Sequence, residues 1–513
     1  MKLTVNGQDI KTVKSAKFLG MIFDRKLTWN DHIDYVVKKC KQRLNLMRAV
    51  SGKNWGASQS TQLTIYKALI RSVIDYGAIA YDSASASQLA KLDSIQCQAL
   101  MISTGAMKGT PLAVLQTHCD EMPLQIRRLK YQIRYAIQVK NTLGHVSRKV
   151  FEEHWTQYYG RYNERNQTVL AKVSDFFAQQ GEPQQTPSNQ DTDIAPWLIT
   201  PPVTDDQLAT TVSKRESPEV LLALAKDVIQ SYDSHTHIYT DASKTADGKV
   251  GIGCYVEANK TDRNLELTQR VTDSASVFAG ELAAIRLAMQ TAKQLDPNVP
   301  IAIFSDSLSA IHCLSNEHST SRPQMLQEIY HLSHELKQEI KLIWVPSHIG
   351  IAGNEMADRL ANQAANKDRV DSHIGFELPE MFGAVDEYCV NKWQAERSQR
   401  PRCHYRQIKP NVTTQSHKAK FANRRIEVTA NRLRFGRCRL NAYLYQIGQH
   451  TTGLCDTCQV PETVEHYVTQ CKDKMSTEIR KLCRMNGIDP TVENVLRDNM
   501  IVREICKMTD RDI

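Results

Sequence analysis

The chain has 513 residues, 41% hydrophobic and 24% charged, with 65 Lys and Arg against 56 Asp and Glu for a formal charge of +9. That length fits two to four domains, and the composition excludes wholesale disorder, collagen-like and low-complexity architectures. A charge of +9 spread evenly marks solubility, whereas the same charge concentrated in one segment marks nucleic-acid contact, so its distribution decides its meaning.

No stretch reaches the ~18 consecutive apolar residues of a spanning helix, and the start, MKLTVNGQD, lacks the apolar core of a signal peptide. A soluble, intracellular protein with no membrane partner is expected. Thirteen cysteines at irregular spacing, most of them single in apolar contexts, point to reduced thiols and not to a disulfide framework.

Residues 1–150 open with a strand-like piece, Ala16 to Phe23, and continue as helices. Ile33, Val36, Val37, Cys40, Leu44 and Met47 recur at three- and four-residue steps, and similar stripes run over Leu63 to Ile79, Leu89 to Ile102 and Leu124 to Ile137. The stretch 151–230 shifts to Gln, Thr, Ser, Pro and Asp with little period, and reads as a linker.

From 231 to 370 strands alternate with helices. Strands are predicted at Ile238 to Thr240, Val250 to Val256, Leu265 to Val271, Ile301 to Ser305 and Leu342 to Val345, with helices near 275–294, 307–315, 323–338 and 353–366. Five strands with helices between the later ones describe one α/β domain. The segment 385–445 follows, and between Arg397 and Leu440 it holds 13 Lys and Arg against one acid, Glu427. That piece alone is +12, which leaves −3 for everything else.

Asp241 ends the first strand of the α/β domain (IYTDAS) and Asp306 the fourth (IFSDS). Loops at the carboxyl ends of strands are where such sheets do chemistry, although an Asp there also serves as a turn residue or helix N-cap. Glu281 lies on or beside the apolar stripe of Phe278, Leu282 and Ile285, where an unpaired charge would cost several kcal/mol. Asp358 shares a face with Asn354, Ala357 and Ala361, or acts as a first-turn acid favoured by the helix dipole.

Four acids converging on one sheet edge repel unless divalent metal neutralises them, and hard oxygen ligands select Mg²⁺ or Mn²⁺. Two such ions about 4 Å apart form the arrangement that splits phosphodiesters. His348 follows the fifth strand in SHIGIAGNEMAD, and an imidazole in a glycine-bearing loop suits proton transfer or a plain surface role.

The ordered set TDAS, GELAAI, FSDS and SHIGIAGNEMADRLA, over about 235–366, resembles the catalytic core of type 1 ribonuclease H. The resemblance implies Asp241, Glu281, Asp306 and Asp358 as ligands of two Mg²⁺ ions and His348 as a mobile auxiliary. It also implies cleavage of the RNA strand of an RNA/DNA hybrid to a 3′-hydroxyl and a 5′-phosphate, with Ser243 touching the hybrid or capping a helix. The family's basic handle helix is not evident between 315 and 340.

Within 450–475, Cys455, Cys458, His466 and Cys471 form a Cys-x2-Cys-x7-His-x4-Cys set, which a structural, tetrahedral zinc takes. The module looks like the Cys-Cys-His-Cys element at the C-terminus of non-LTR retrotransposon polyproteins. In the adjacent +12 segment Arg424, Arg425, Arg432, Arg434, Arg437 and Arg439 are candidate phosphate contacts, and Tyr405, Phe421 and Phe435 candidate stacking partners for bases.

The N-terminal FLGMIFDRKLTWNDHI, followed by a long helix, resembles the palm end and thumb of reverse transcriptases from non-LTR elements of the jockey and I type. A polymerase needs paired Asp residues after an aromatic strand residue, and the one Asp-Asp, Asp205-Asp206, sits in the linker, so no polymerase site is expected. The predicted fold is therefore an α/β ribonuclease H-like domain with a five-stranded mixed sheet, flanked by a helical thumb remnant and a basic and zinc-bearing segment. The predicted function is RNA/DNA-hybrid endoribonuclease; its rival is a non-catalytic nucleic-acid-binding remnant.

Overall fold

Alternation of β-branched and aromatic residues builds the central sheet. In the computed structural model β4 (Thr236–Lys244), β5 (Val250–Val256) and β6 (Leu265–Val271) form an antiparallel meander, and β7 (Ile301–Ser305) and β8 (Ile340–Trp344) continue it in parallel from β4. The structure describes residues 4–5, 8–9, 12–142, 145–148, 169–180, 201–212, 216–260, 263–273, 275–316, 319, 321–375, 378–400, 403–414, 421, 423–472 and 474–509.

The sheet has six strands, one more than the sequence predicts. Val203–Asp205, here β3, lies inside the stretch read as a linker and pairs in parallel with β8, giving the order β3-β8-β7-β4-β5-β6. The same stretch supplies a helix α4 (Pro218–Ser231), whose Ala225 is fully buried. Asp205 and Asp206 are structural: the Tyr232 hydroxyl donates to Asp205 at 2.7 Å, and Asp206 lies 2.9 Å from His312 Nε2. Residues 151–168, 181–200 and 213–215 of the expected linker lie outside the described residues.

Successive side chains of a strand face opposite ways, so β7 buries Ile301 and Ile303 on one face and Ala302 and Phe304 on the other. The first face packs on α5 (Val277–Ala292) through Leu282, Ile285 and Met289; the second packs on α8 (Ala352–Ala365), which follows α6 (Leu308–Ser315) and α7 (Pro323–Glu335). Glycine on β5 lets α8 approach to backbone contact: a Cβ on Gly253 would stand 2.3 Å from the Ala357 carbonyl oxygen, and one on Gly251 2.1 Å from the Ala365 nitrogen. The small-residue face of α8 is thus a packing surface that seats Asp358 beside the sheet.

Contacts divide the chain into two units: this middle one, within Phe177–Gly383, and a second made of the residues up to Ala136 together with those from Ala384 onward. In the second unit a hairpin, β1 (Ser15–Phe18) and β2 (Met21–Asp24), precedes α1 (Asn30–Ala49), α2 (Ala86–Thr104) and α3 (Leu124–Asn141). The DRKLTW motif is a turn organised by Asp24, whose carboxylate accepts from the Lys26, Thr28 and Trp29 nitrogens at 3.0, 3.0 and 2.7 Å.

The basic segment is helical and built into this unit, as α9 (Leu378–Gln399, its later residues), α10 (His404–Ile408) and α11 (Arg424–Phe435). Tyr405 and Phe435, candidate stacking partners by sequence, are buried around His118, with ring centroids 5.8 and 4.8 Å from its imidazole. Phe421 lies beneath the Arg434 guanidinium at 5.7 Å. Arg402, Lys418 and Lys420 of the segment lie outside the described residues.

Candidate functional sites

Thr240 and Ser305 are register partners on the parallel strands β4 and β7, so Asp241, which the sequence places at a strand end but which lies inside β4, and Asp306, just past β7, stand side by side where that pairing stops. Glu281 comes from the second turn of α5, which Gly280 brings onto the sheet: a Cβ there would lie 2.8 Å from that of Ala242. One carboxylate oxygen from each of Asp241, Glu281 and Asp306 falls within 4.8 Å of the others, a group able to hold a metal ion. Asp241 and Glu281 are only 7% and 5% exposed.

Three acids so placed oppose each other's ionisation. Burial, then the Asp306 charge, pushes Asp241 up to about 8, and burial with the Asp241 charge raises Glu281 well above the carboxylate range. Burial also raises Asp306, against the Asn354 hydrogen bond and the His348 charge, which pull it down. Glu281 Oε2 is buried and finds no hydrogen-bond partner among the described residues. A buried carboxylate oxygen without a donor fits a cation ligand.

Asp358, fourth in the sequence-based set, stands outside that 4.8 Å group at the half-exposed rim, and its charge and hydrogen bond raise Asp241. Its Oδ1 accepts from Asn362 Nδ2 at 2.9 Å, and the Asn362 side-chain oxygen accepts from the Ser243 hydroxyl at 2.6 Å. Ser243 thus joins Asp358 through Asn362, a residue that the sequence reading missed. The available signal was the polar stripe Asn354, Asp358, Asn362 at four-residue steps on a helix whose other face is alanine.

His348 is exposed in the loop after β8 with a left-handed φ of 53°, and Gly350 follows at 92°. A second missed residue is Glu380, which accepts from the Ser276 nitrogen at the N-cap of α5 at 2.9 Å and pairs with the buried Arg322, fixing the helix that carries Glu281.

Cys455, Cys458, His466 and Cys471 come together with ligand atoms within 4.8 Å of one another. Cys471 Sγ lies 3.8 Å from the sulfurs of both Cys455 and Cys458, and a tetrahedron with Zn–S of about 2.3 Å has an edge of about 3.8 Å. The Lys472 nitrogen donates to Cys458 Sγ at 3.3 Å, a bond that lowers that thiol's pKa, while His466 Nε2 is buried without a hydrogen-bond partner among the described residues. The donor set, spacing and orphaned nitrogen all fit one zinc ion.

The six candidate arginines separate by environment. Arg424 is buried and ion-paired with Glu427 at 2.8 Å, and its nitrogens reach the Ser103 and Ile102 carbonyls at 2.7 and 2.9 Å. Asn431 and Arg432 bond the Thr104 and Gly105 carbonyls at 3.0 and 2.9 Å. The last turn of α2 leaves its carbonyls unpaired, and α11 caps them. Arg434 is buried on the Leu496 carbonyl and Asn499. The expected phosphate-binding set therefore loses Arg424 and Arg434, whose guanidinium groups are committed to the protein interior. Arg437 is half-buried over the Tyr443 ring at 5.7 Å; Arg425 and Arg439 are exposed.

Residues 233–366 match the family model described as RNase H, so the middle of the chain is an RNase H domain. The chain is also similar to the RNase H1 of the halophilic archaeon Halobacterium salinarum, at 24% identity over 25% of this chain and 96% of that one, with a TM-score of 0.21. A second likeness is to the N-terminal RNase H domain of a Mycobacterium tuberculosis protein, solved as a fusion with maltose-binding protein, at 23% identity, 26% and 99% coverage and a TM-score of 0.23. Among the described residues no helix is long and apolar enough to cross a membrane.

Proposed function

We propose that the chain is an endoribonuclease that hydrolyses the RNA strand of RNA/DNA hybrids, within a protein derived from a non-LTR retrotransposon. The observation that carries the activity is the group of Asp241, Glu281 and Asp306, drawn from two adjacent strands and a helix and set within 4.8 Å inside an RNase H domain. These three, with Asp358 at the rim, would hold Mg²⁺, or Mn²⁺ in its place. Two ions bound there supply a water activated for attack and a counter-charge for the departing oxygen.

The protein's own groups do the rest. Asp241 and Glu281, rigid and desolvated, fix the donor geometry without rearrangement. Asn362 holds Asp358 toward Asp241, and the Ser243 hydroxyl at the same rim is placed to meet the hybrid. His348, exposed on its loop, carries a proton at the imidazole as product departs. In the second unit, Cys455, Cys458, His466 and Cys471 hold one structural zinc, and the exposed arginines of the basic segment add affinity for nucleic acid. The helical N-terminal region with its Asp24 turn, taken together with this cysteine set, supports the retrotransposon origin; the paired acids are tied up elsewhere, Asp205 with Tyr232 and Asp206 with His312, and give no support to a polymerase.

The chemistry is tested by the ends of the products. Water attack leaves fragments with a 3′-hydroxyl that a polymerase can extend. Fragments ending in a 2′,3′-cyclic phosphate would contradict the mechanism, because they require attack by the neighbouring 2′-hydroxyl.

A further inference from the structure

Arg434 is a buried cation whose partners are all neutral. It is 8% exposed; its Nε donates to the Leu496 carbonyl at 2.9 Å and its Nη2 to the Asn499 side-chain oxygen at 2.7 Å. The interior thus takes two of its three nitrogens. Among the described residues no carboxylate lies within ion-pairing distance of it, and no hydrogen bond uses Nη1. A charge taken out of water is costly unless it is paired, and on the same helix the equally buried Arg424 shows the usual remedy, Glu427 at 2.8 Å.

Arg434 lines a cavity of about 550 Å³ within the second unit, a size that ligand pockets have. The buried Tyr405 and Asn431 line it too, with the apolar Leu63, Ile408 and Leu496, and the exposed Ser58, Ser60 and Arg497 mark its mouth. Arg497 is a second cation without an acid: its Nε and Nη2 donate to the Ile408 and Gln407 carbonyls at 2.9 and 2.5 Å, and Nη1 takes no partner among the described residues. Arg497 follows Leu496, the residue whose carbonyl holds Arg434, so the two guanidinium groups are anchored on one stretch of chain. The acids that share the lining are already neutralised, Glu427 by Arg424 and Asp120 by Lys409. Two positive charges therefore remain uncompensated. The Phe421 ring, 5.7 Å from the Arg434 guanidinium, adds a flat apolar face to the same wall.

We propose that this cavity binds a phosphate monoester carried on an aromatic body, with the phosphate on the free Nη1 groups of Arg434 and Arg497 and the ring against Phe421 and the apolar wall. A monoester brings up to two negative charges to two unpaired cations, and guanidinium nitrogens suit its oxygens. A bare inorganic anion would balance the charge and leave the apolar wall uncovered. The site is independent of the hydrolytic centre: it uses none of that centre's carboxylates and needs no Mg²⁺.

The test is isothermal titration calorimetry of the full-length protein without added Mg²⁺, with uridine 5′-monophosphate, uridine and inorganic phosphate as probes. The monophosphate is expected to bind at one site per chain, and uridine, which lacks the anion, at least about 100-fold more weakly. Inorganic phosphate, which lacks the ring, is expected to bind about tenfold more weakly than the monophosphate. Arg497→Gln, at the exposed mouth, is expected to weaken the monophosphate about tenfold and to leave uridine unchanged. Arg434→Met is expected to abolish monophosphate binding; if it melts early, Arg497→Gln carries the comparison.

Oligouridine with a 5′-phosphate distinguishes two sources of the ligand. Binding as tight as that of the monophosphate, lost when the end is a 5′-hydroxyl, assigns a strand end; binding of the monophosphate alone assigns a free nucleotide; each supports the site. No saturable binding of the monophosphate at millimolar concentration, equal affinity for uridine or for inorganic phosphate, or unchanged affinity in a folded Arg497→Gln protein would overturn it.

Discussion

A chain carrying Asp241→Asn is expected to lose hybrid cleavage by about 1000-fold or more, on the order of 4 kcal/mol of transition-state stabilisation, and yet to melt higher than wild type when both are free of metal. The two effects share one cause. Asp241 is 7% exposed and faces Asp306 and Glu281, so its charge is useful only when a cation is present. Asparagine keeps the shape and removes the repulsion, a gain of about 2 kcal/mol.

The same group gives a pH dependence whose sign follows from its shift. The carboxyl of Asp241 rises from 3.8 to about 8 on folding, so between those values the folded chain holds more protons than the unfolded one. Stability of the metal-free protein therefore falls as pH rises through this window, and levels off above it. In Asp241→Asn the fall is reduced, with the Glu281 part remaining; Mg²⁺ is expected to raise the melting temperature of wild type more than that of the variant. Thermal denaturation at pH 5 and pH 8, with and without Mg²⁺, checks this. A metal-free variant less stable than wild type would contradict the electrostatic account.

The second large effect concerns zinc. One equivalent per chain is expected by elemental analysis, lost in Cys455→Ser. The cysteine set leads into the core of Val464, Tyr467, Val468, Ile479, Val495 and Ile505, so a zinc bound there would hold the ends of that cluster together. Structural zinc contributes folding free energy directly, and its loss should cost at least about 3 kcal/mol in this unit. Amide exchange would show it: protection falls over 441–508, while the strands β4 to β8 keep theirs. A fully protected, metal-free C-terminus would refute the site.

The strands and helices of the RNase H domain are legible in the sequence because each is long enough to show its period, and Asp241 and Asp306 are legible because each follows a short apolar run, although β4 continues past Asp241 to Lys244. Glu281 is legible as an acid on an apolar stripe, and the zinc set by spacing alone. β3 is not legible: three residues show no period, and what makes them a strand is β8, more than 130 residues away. The fate of the arginines is hidden for a related reason. Arg424 and Arg425 are neighbours of the same type, and only the carbonyls left at the end of α2, more than 300 residues earlier, decide that one turns inward as a cap. Charge counted along the chain therefore overstates what is free to meet phosphate.

The most direct measurement is incubation of the folded wild-type protein with an RNA strand labelled at its 5′ end, presented as an RNA/DNA hybrid, as duplex RNA and as a single strand, each with and without Mg²⁺. Cleavage of the RNA only in the hybrid and only with Mg²⁺ is predicted. A folded protein that leaves the hybrid intact in Mg²⁺ and in Mn²⁺, or that cuts the single strand equally well without either, would contradict the assignment of these carboxylates to hybrid hydrolysis.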